Sequence, residues 1–379
     1  MNFDFSDDQK LLKEQVHRFL ADKCPTKVVR RVLDGNETHA EEVWKGLVEL
    51  GVPATTIPEA YGGLGLTPLE LCVIAEEIGR VAAPVPFDSS VVLATEALKL
   101  TDSEAQKKKW LPLLASGEAI GTLAVAEGPE PPRPRNIRTT FGGGRLNGKK
   151  VPVVDGEAAS FAIVLANTGG PNHAARGERA VSLVLVALKQ AGVSRRRVET
   201  VDPARKHAEL TFNDASAELL GAEGEGWRLL ERLHDAAAVY FAFAQVGGAE
   251  AAMWMARDYA LQRQAFGRAI GSYQAIKHKL ADCYVKLELA RSNAYYGAMM
   301  LTDGGADLPL AAAAARIAAT EAYDFAAKEN IQTHGGIGFT WEADTQFHLR
   351  RAKLMALSIG GPMAWKDKLV TRLEQKNAA

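Results

Sequence analysis

Apolar residues recur three and four positions apart through the first third of the chain. The clearest run follows a capping-box start at Ser6 and comprises Leu11, Leu12, Val16, Phe19 and Leu20. Similar patterns predict helices over residues 40–50, 67–80, 89–98 and 103–114. The 67–80 helix carries Glu76 and Glu77, for which we expect a solvated or interface face rather than an acid–base role. We therefore expect an all-helical domain over residues 1–117.

After residue 117 the pattern changes to short apolar runs that are rich in β-branched residues. Glycine- and proline-rich turns separate these runs. The runs occupy residues 120–125, 145–154, 161–167, 181–188 and 208–212. This pattern predicts an all-β middle domain over residues 118–222.

Long helical patterns return in the last part of the chain. They cover residues 227–263, 273–303, 308–334 and 343–374. Their short connections favour an up-down bundle of four antiparallel helices over residues 223–379. The predicted fold class is mainly α, with an all-β middle domain between a helical domain and a four-helix bundle.

Composition narrows the range of functions. A length of 379 residues fits two or three domains, and 47% hydrophobic with 24% charged residues is ordinary for a globular protein. A formal net charge of −1 gives no electrostatic case for binding nucleic acid or a membrane surface. The three cysteines lack metal-site spacing, so we expect no metal and reduced thiols in a cytoplasmic protein. We also expect no secretion signal and no membrane span.

The stretch between the first two long helices carries the clearest candidate chemistry. It runs from Arg263 to Gln274 and reads Arg-Gln-Ala-Phe-Gly-Arg-Ala-Ile-Gly-Ser-Tyr-Gln. Gly267 and Arg268 fall where a helix is expected to end, and Ser272 is a candidate N-cap. A planar guanidinium suits phosphate, and a helix N-terminus adds N–H donors. The stretch predicts an anion site beside an aromatic surface, with a helix hairpin carrying a solvated arginine as the open alternative.

This stretch and a second motif, Gln-Thr-His-Gly-Gly-Ile-Gly-Phe over residues 332–339, resemble the acyl-CoA dehydrogenase family. The resemblance covers nearly the whole chain and follows the same order of domains. It implies an FAD flavoprotein that dehydrogenates an acyl-CoA thioester between its α- and β-carbons. It also implies an oligomer, with electron-transfer flavoprotein as the electron acceptor.

The resemblance assigns two groups of residues to FAD, contributed to the cofactor of a neighbouring subunit. The first group, which matches contacts to the pyrophosphate and adenosine, comprises Arg263, Phe266 and Gln274. The second comprises Gln332, Gly335 and Gly336. A backbone that approaches phosphate closely requires glycine. Gly335 can also be a helix C-cap, and the two roles are compatible.

The segments that hold the flavin ring in the family differ in this chain. The family's Thr-Glu-Pro-x-x-Gly-Ser-Asp run corresponds to residues 126–133, where the threonine hydroxyl is missing. Val125 and Ala126 can still offer backbone groups there. The family's Trp-Ile-Thr strand corresponds to residues 152–154, which read Pro-Val-Val. An aromatic stack and a second hydroxyl are therefore absent.

The catalytic base departs furthest from the family pattern. Many members carry a glutamate shortly after an Arg-x-Ala-Lys segment, and Ile359 occupies that position here. Other members carry the glutamate on the first bundle helix, where this chain has Ala237. Asp235 is a candidate substitute, although residues two apart on a helix do not share a face. A charge on a partly exposed helix face is the alternative reading of Asp235.

Similar losses occur in the small subunit of pimeloyl-CoA dehydrogenase and in one chain of heteromeric steroid side-chain acyl-CoA dehydrogenases. There a partner chain can supply the glutamate. We therefore expect either a homo-oligomer or a heterotetramer with a paralogous chain. Two alternatives stay open. One is a flavoprotein with another reaction on the same fold, such as a desulfinase or a monooxygenase; the other is a non-catalytic subunit that binds acyl-CoA or completes a partner's FAD site.

Overall fold

The computed structural model describes residues 5–170 and 176–378, and these residues form two compact units. The first unit comprises the chain up to Arg31, the segment Thr67–Ala83 and the chain from Ala238 onwards. The second comprises Val32–Leu66 and Pro84–Ala237. The division into three domains at residues 117 and 222 stays a prediction.

The helices within the described residues are, in chain order, α1 (Asp7–Lys23), α2 (Thr26–Asp34), α3 (Glu41–Glu49), α4 (Pro68–Arg80), α5 (Thr95–Lys99), α6 (Glu104–Ala115), α7 (Gly226–Gln262), α8 (Gln274–Asp303), α9 (Leu308–His334), α10 (Thr345–Leu357) and α11 (Pro362–Ala378). The strands are β1 (Gly121–Ala124), β2 (Thr140–Gly142), β3 (Arg145–Val154), β4 (Phe161–Asn167), β5 (Val181–Ala187), β6 (Val193–Val198), β7 (His207–Ser216), β8 (Glu218–Leu220), β9 (Gln264–Ala265) and β10 (Arg268–Ala269). A π-helical segment, Phe87–Ala94, leads into α5.

Two helices of the first unit begin at capping boxes, and the box at Ser6 is the one predicted from the sequence. At α1, the Ser6 hydroxyl accepts a bond from the Gln9 N–H at 3.2 Å, and the Gln9 side chain accepts one from the Ser6 N–H at 3.0 Å. At α4, Thr67 and Glu70 make the equivalent reciprocal bonds. Each box satisfies N–H groups that a helix start leaves without partners.

The expectation of a solvated or interface face for Glu76 and Glu77 is wrong. Both side chains are buried, with exposed fractions of 0% and 2%. The reason is that α4 lies against α7 at contact distance, since a Cβ added at Gly79 would lie 1.9 Å from the Ala244 carbonyl oxygen. The buried carboxylates are neutralised by cations: Glu76 lies 2.9 Å from the Lys13 ammonium and 2.8 Å from the Arg291 guanidinium.

The second unit contains a mixed, mostly antiparallel sheet of eight strands within the described residues. Its order is β6-β7-β3-β2-β4-β5-β8, with β1 added in parallel to β4. The hydrophobic core of the sheet is built from small and β-branched residues such as Ala162, Val164 and Val184. The prediction of strands missed β6, because its Ser-Arg-Arg-Arg sequence lacks apolar alternation. β6 is an edge strand, where charged side chains are tolerated.

The bundle of the first unit differs from the prediction in its last helix. The predicted helix over residues 343–374 is wrong as a single element, because α10 ends at Leu357 and α11 begins at Pro362. Gly360 adopts φ +105° between them, a conformation that favours glycine. A proline at the first helical position then starts α11. The loop that carries Ile359 therefore lies between two helices.

No helix in the described ranges has the length and apolarity needed to cross a membrane. Across those same residues, no group of three or more His, Cys, Asp or Glu side chains is arranged to hold a metal ion. Cys24, Cys72 and Cys283 carry buried, free thiols. Burial raises the pKa of Cys24 and of Cys283 to about 12, which suppresses their thiolate forms.

Candidate functional site

The junction between α7 and α8 is a short β-hairpin rather than a direct helix connection. Arg268 pairs with Ala265 across the hairpin, and the turn between them consists of Phe266 and Gly267. Both turn residues have positive φ, +52° for Phe266 and +80° for Gly267. Positive φ at both central positions is the signature of the type I′ turn that joins closely paired strands.

The predicted helix ranges at this junction, 227–263 and 273–303, agree to within one residue with α7, which ends at Gln262, and α8, which begins at Gln274. The expected helix stop at Gly267 and Arg268 is wrong, because the hairpin occupies these residues. Ser272 is not the N-cap of α8; its hydroxyl donates to the Ala269 carbonyl at 2.7 Å, and Tyr273 occupies the cap position. The hairpin thus replaces the predicted caps.

Tyr273 holds the hairpin against the start of α8. Its hydroxyl donates to the Ala265 carbonyl at 3.0 Å, and the Arg268 guanidinium lies 4.0 Å from its ring centroid. The Ile270 N–H donates to the Arg263 carbonyl at 2.8 Å and closes the base of the hairpin. Arg268 therefore serves the hairpin itself, as a cation over an aromatic face.

The three residues that the resemblance assigns to FAD from this motif are all exposed. The Phe266 ring is 96% exposed at the tip of the hairpin, and Arg263 and Gln274 are exposed beside it. No salt bridge involving Arg263 occurs among the described residues. The arrangement offers a guanidinium, a carboxamide and an aromatic face to one ligand, a donor set that fits an adenosine diphosphate group.

The second motif follows the end of α9. Gly335 is the C-cap of α9, with φ +63° and ψ −139°, and its N–H donates to the Gln332 and Ile331 carbonyls. Gly338 is required by packing, because a Cβ there would lie 2.5 Å from the Ile331 carbonyl oxygen. Gly336 has open space around an added Cβ, and Gln332 is exposed. The internal packing explains Gly338 and leaves Gly336 free for a close ligand.

The two motifs meet at the same end of the bundle. The Tyr259 ring stacks on the His334 ring with centroids 4.1 Å apart. Tyr259 lies one helical turn before Arg263, and His334 directly precedes Gly335. The His334 Nδ1 donates to the Asn330 carbonyl at 2.8 Å, because a carbonyl can only accept. Sequence reasoning missed Tyr259, which lies outside the motifs.

The segment expected near the flavin ring lies in the second unit, at the end of β1. The Val125 carbonyl accepts a bond from the Lys150 ammonium at 3.0 Å, and the Ala126 carbonyl accepts one from the Val151 N–H at 2.8 Å. The carbonyl groups of the two residues are therefore engaged within the protein. The backbone groups that Val125 and Ala126 can still offer to a flavin ring are therefore their N–H groups.

Lys150 and Glu127 fix this segment, and sequence reasoning missed both. The Lys150 ammonium lies 2.7 Å from the Glu127 carboxylate, which also accepts the N–H groups of Arg138 and Thr139 at 2.8 and 2.9 Å. Burial lowers the pKa of Lys150 to about 8, and Glu127 opposes this shift. The one signal in the sequence was that Glu127 matches the glutamate of the family's Thr-Glu-Pro run.

The positions expected to carry the catalytic base are occupied by buried hydrocarbon. The exposed fractions are 4% for Ile359 and 0% for Ala237. The Ile359 carbonyl accepts a bond from the Trp365 indole N–H at 3.2 Å, which holds the loop after α10. The reading of Asp235 as a partly exposed charge is wrong, because α7 is buried at this point and leaves Asp235 only 5% exposed.

Comparison with known proteins identifies the family. Two family models match the chain, "Acyl-CoA dehydrogenase, N-terminal domain" over residues 6–118 and "Acyl-CoA dehydrogenase, C-terminal domain" over residues 224–362. The chain is similar to acyl-CoA dehydrogenase IpdE2 of Mycobacterium tuberculosis, with 31% identity over 371 residues, covering 98% of this chain and 97% of that protein.

Solved structures agree with the sequence relatives. Butyryl-CoA dehydrogenase from Megasphaera elsdenii superposes with a TM-score of 0.89 at 26% identity, covering 98% of this chain and all of the other. The ChsE4–ChsE5 complex from Mycobacterium tuberculosis gives a TM-score of 0.87 at 25% identity, covering 99% of both chains. The fold, the two motifs and these relatives together show that the chain belongs to the acyl-CoA dehydrogenase family of FAD-dependent oxidoreductases.

Proposed function

We propose that the chain is one subunit of an acyl-CoA dehydrogenase that obtains its catalytic base from a paralogous partner chain. One observation carries the proposal: the two positions that the resemblance assigns to the base hold the hydrocarbon side chains of Ile359 and Ala237, both buried. Neither side chain can accept the α-proton of a thioester. General-base assistance is worth about 10²–10⁴ in rate, so an active enzyme needs another carboxylate.

The residues present fit one part of FAD better than the other. Arg263, Phe266 and Gln274 are exposed donors and an exposed ring, and Gly336 has open space around an added Cβ. They suit the adenosine diphosphate part. On the ring side the two family hydroxyls are missing, and the Val125 and Ala126 carbonyls are already engaged. When bound, FAD supplies the acceptor for the β-carbon hydride.

The chain's own contribution is therefore binding and orientation. The hairpin presents the Arg263 guanidinium to the cofactor phosphates, and the Phe266 ring offers a stacking face. These side chains point outward from their own unit into solvent, which supports their use by the cofactor of a neighbouring chain. The chain adds donors there, while the partner adds the carboxylate that removes the α-proton.

An oligomer is supported by exposed apolar side chains beside the second motif. Ile337, Phe339 and Trp341 are exposed by 54%, 77% and 49%, in a segment of only five residues. Clustered exposed aromatic residues mark protein interfaces. A heteromer is further supported by the similar ChsE4–ChsE5 protein, which is a complex of two chains. We also propose electron-transfer flavoprotein as the electron acceptor and a cytoplasmic location, the latter from the free thiols.

A second candidate function is a chain that acts alone with Asp235 as its base. It is favoured by the burial of Asp235 on the helix that carries the base in some members of the family. Against it stands the helical geometry, because Asp235 and Ala237 differ by about 200° around the helix axis. Replacement of Asp235 by asparagine separates the two candidates.

The proposal is tested by flavin stoichiometry and light scattering. The chain is purified alone and after co-expression with its paralogous gene, and flavin is counted per chain from the absorbance after denaturation. Half a flavin per chain in a heteromer, or none until the second gene is added, supports the proposal. Full flavin in a homo-oligomer would contradict the heteromer, and a monomer that retains FAD tightly would contradict the intersubunit site.

A further inference from the structure

The segment that follows α9 carries the second family motif without the support of a long helix. It spans residues 335–344 and consists of a 3₁₀ turn, Gly335–Phe339, followed by turns up to the start of α10. Within it, the Thr340 N–H donates to the Ile337 carbonyl at 3.0 Å, and the Ala343 N–H donates to the Thr340 carbonyl at 3.3 Å, which is long for such a bond. A segment of this kind needs contacts from other parts of its unit to keep one shape.

Arg30 on α2, in the same unit, supplies such contacts. Its guanidinium donates to the Trp341 carbonyl at 2.7 Å and to the Glu342 carbonyl at 3.0 Å, and it lies 2.8 Å from the Asp344 carboxylate. The same group lies 5.0 Å from the centroid of the Phe347 ring, in the first turn of α10. One side chain, 311 positions before Trp341 in sequence, therefore holds the end of the segment at three points.

The chemistry of arginine suits this role. Its planar fork of donors can reach two carbonyl oxygens and a carboxylate at once, and bonds from a charged donor are stronger than neutral ones. The side chains of Arg30 and Asp344 are 25% and 35% exposed, so salt and water weaken their attraction less than that of a fully exposed pair. Loss of Arg30 would remove three charge-assisted contacts together.

Helix α10 supports the other side of the segment. The Gln346 carboxamide donates to the Trp341 carbonyl at 2.5 Å, and the Thr345 hydroxyl donates to the Gly338 carbonyl at 2.9 Å. The Arg350 guanidinium lies 5.2 Å from the centroid of the Trp341 ring. The Trp341 carbonyl thus accepts bonds from α2 and from α10, and the two supports meet there.

These supports hold the outward face of the motif. Gly336 has open space around an added Cβ, and the Phe339 ring is 77% exposed. Trp341 follows Gly336 by five residues, so a displacement at Trp341 is passed along one short turn to Gly336. A surface that is already fixed loses less conformational entropy when it binds a ligand.

We propose that Arg30 is a positioning residue for FAD. It fixes residues 341–344 and thereby holds Gly336 and Phe339 in the orientation that contacts the cofactor. The inference rests on the proposed function in one respect, the assignment of the second motif to FAD. Arg30 acts through the segment, because its guanidinium donors are directed to Trp341, Glu342 and Asp344.

The first measurement is hydrogen exchange of the full flavin-free chain, followed by mass spectrometry of peptides that cover residues 335–344. Arg30→Gln should accelerate exchange in these peptides about tenfold or more, because opening of the segment no longer breaks three charge-assisted contacts. Arg18→Gln is the matched control, since Arg18 is exposed on α1 and pairs with Glu14 in the same helix. Equal exchange in the wild type and in Arg30→Gln would overturn the proposal.

The second measurement is the FAD affinity of the assembly that binds flavin, either the chain alone or the chain with its paralogous partner. Arg30→Gln should weaken FAD binding about tenfold, whereas Arg18→Gln should leave it unchanged. Combined with Gly336→Ala, which alters the same segment, the two losses of affinity should amount to less than their product. Combined with Arg263→Ala, which alters the hairpin, they should multiply. Losses that multiply in both pairs would indicate general destabilisation and would overturn the proposal.

The results separate this proposal from the proposed function. FAD binding that is weakened by Arg263→Ala and unchanged by Arg30→Gln would overturn the role of Arg30 and leave the proposed function standing. Absence of FAD from every assembly of the chain would overturn both. The heteromer and the missing base are tested by flavin stoichiometry and flavin bleaching, which do not depend on Arg30.

Discussion

The Tyr259 and His334 rings stack with centroids 4.1 Å apart and planes inclined by 25°. The stack joins the end of α7 to the end of α9, and each ring borders one of the two family motifs. The Arg263 N–H donates to the Tyr259 carbonyl at 2.8 Å, which continues α7 up to the arginine. Two motifs about seventy residues apart in sequence therefore act as one surface.

Arg263→Ala should weaken FAD binding. A charge-assisted contact to phosphate contributes roughly 1.5–3 kcal/mol, so the loss should be about tenfold or more. Arg257→Ala is the control, because Arg257 is exposed on the same helix and lies beside Asp258. Flavin dissociation is followed by fluorescence after dilution of the purified protein. Equal dissociation constants for Arg263→Ala and the control would remove Arg263 from the site.

Phe266→Asn should have opposite effects on stability and on flavin binding. Phenylalanine at φ +52° costs about 1 kcal/mol, whereas asparagine tolerates this conformation and favours type I′ turns. The hairpin should gain stability, while the cofactor loses an aromatic face. Thermal melting of the flavin-free protein and flavin titration measure the two effects. A variant that binds FAD as tightly as the wild type would show that the exposed ring has no role in binding.

Glu76→Gln should destabilise the first unit by about 3 kcal/mol. The substitution leaves the Arg291 and Lys13 cations beside a neutral buried group, and breaking a buried ion pair is costly. Glu288→Gln is the control, since Glu288 is an exposed neighbour of Arg291 at 3.5 Å and should change stability by less than about 0.5 kcal/mol. Urea unfolding followed by circular dichroism measures both. If the two variants unfolded at similar urea concentrations, the burial of Glu76 would not make its ion pairs more stabilising than that of Glu288.

Lys150 should make stability rise with pH above neutrality. Burial lowers its folded pKa to about 8, below the ordinary 10.5, although Glu127 opposes the shift. Between these values the unfolded chain binds more protons, so raising the pH favours the folded state. The gain from pH 7 to pH 9.5 should be about 2 kcal/mol relative to Lys150→Met, which cannot titrate. Urea unfolding of the wild type and of Lys150→Met at both pH values measures this gain. If the stability difference between the two proteins were the same at pH 7 and pH 9.5, the lowered pKa of Lys150 would be contradicted.

The sequence predicted the elements whose signals are local. Capping residues and apolar spacing gave the starts of α1 and α4, because those bonds form within one helical turn. The hairpin after α7 escaped prediction, since Phe-Gly is not the usual Asn-Gly turn. The break before α11 escaped it too, although Gly360 and Pro362 were visible.

Burial escaped prediction for a different reason. Periodicity shows which face of a helix is apolar, but other parts of the chain decide how many faces are covered. Glu76 and Asp235 were therefore read as more exposed than they are. The family motifs gave the exposed residues of the hairpin, whereas Lys150 became visible only through its contacts. Pairwise contacts between distant segments require the folded structure.

The missing base is tested with two restored carboxylates. Ile359→Glu places a carboxylate in the loop after α10, and Ala237→Glu places one on α7. If either position faces the substrate, flavin reduction should accelerate by about 10²–10⁴. Asp235→Asn is the companion variant, because it removes the buried carboxylate nearest to Ala237 in sequence. Flavin content is matched between variants before rates are compared.

Anaerobic bleaching of the flavin by a panel of acyl-CoA esters measures the central claim directly. The wild-type chain alone should bleach hardly at all, and addition of the paralogous partner should restore rapid bleaching without any mutation. Rapid bleaching by the wild-type chain alone would contradict the account. If Asp235→Asn abolished that bleaching, Asp235 would be the base; if bleaching survived, the assignment of Ile359 and Ala237 to the base positions would be wrong.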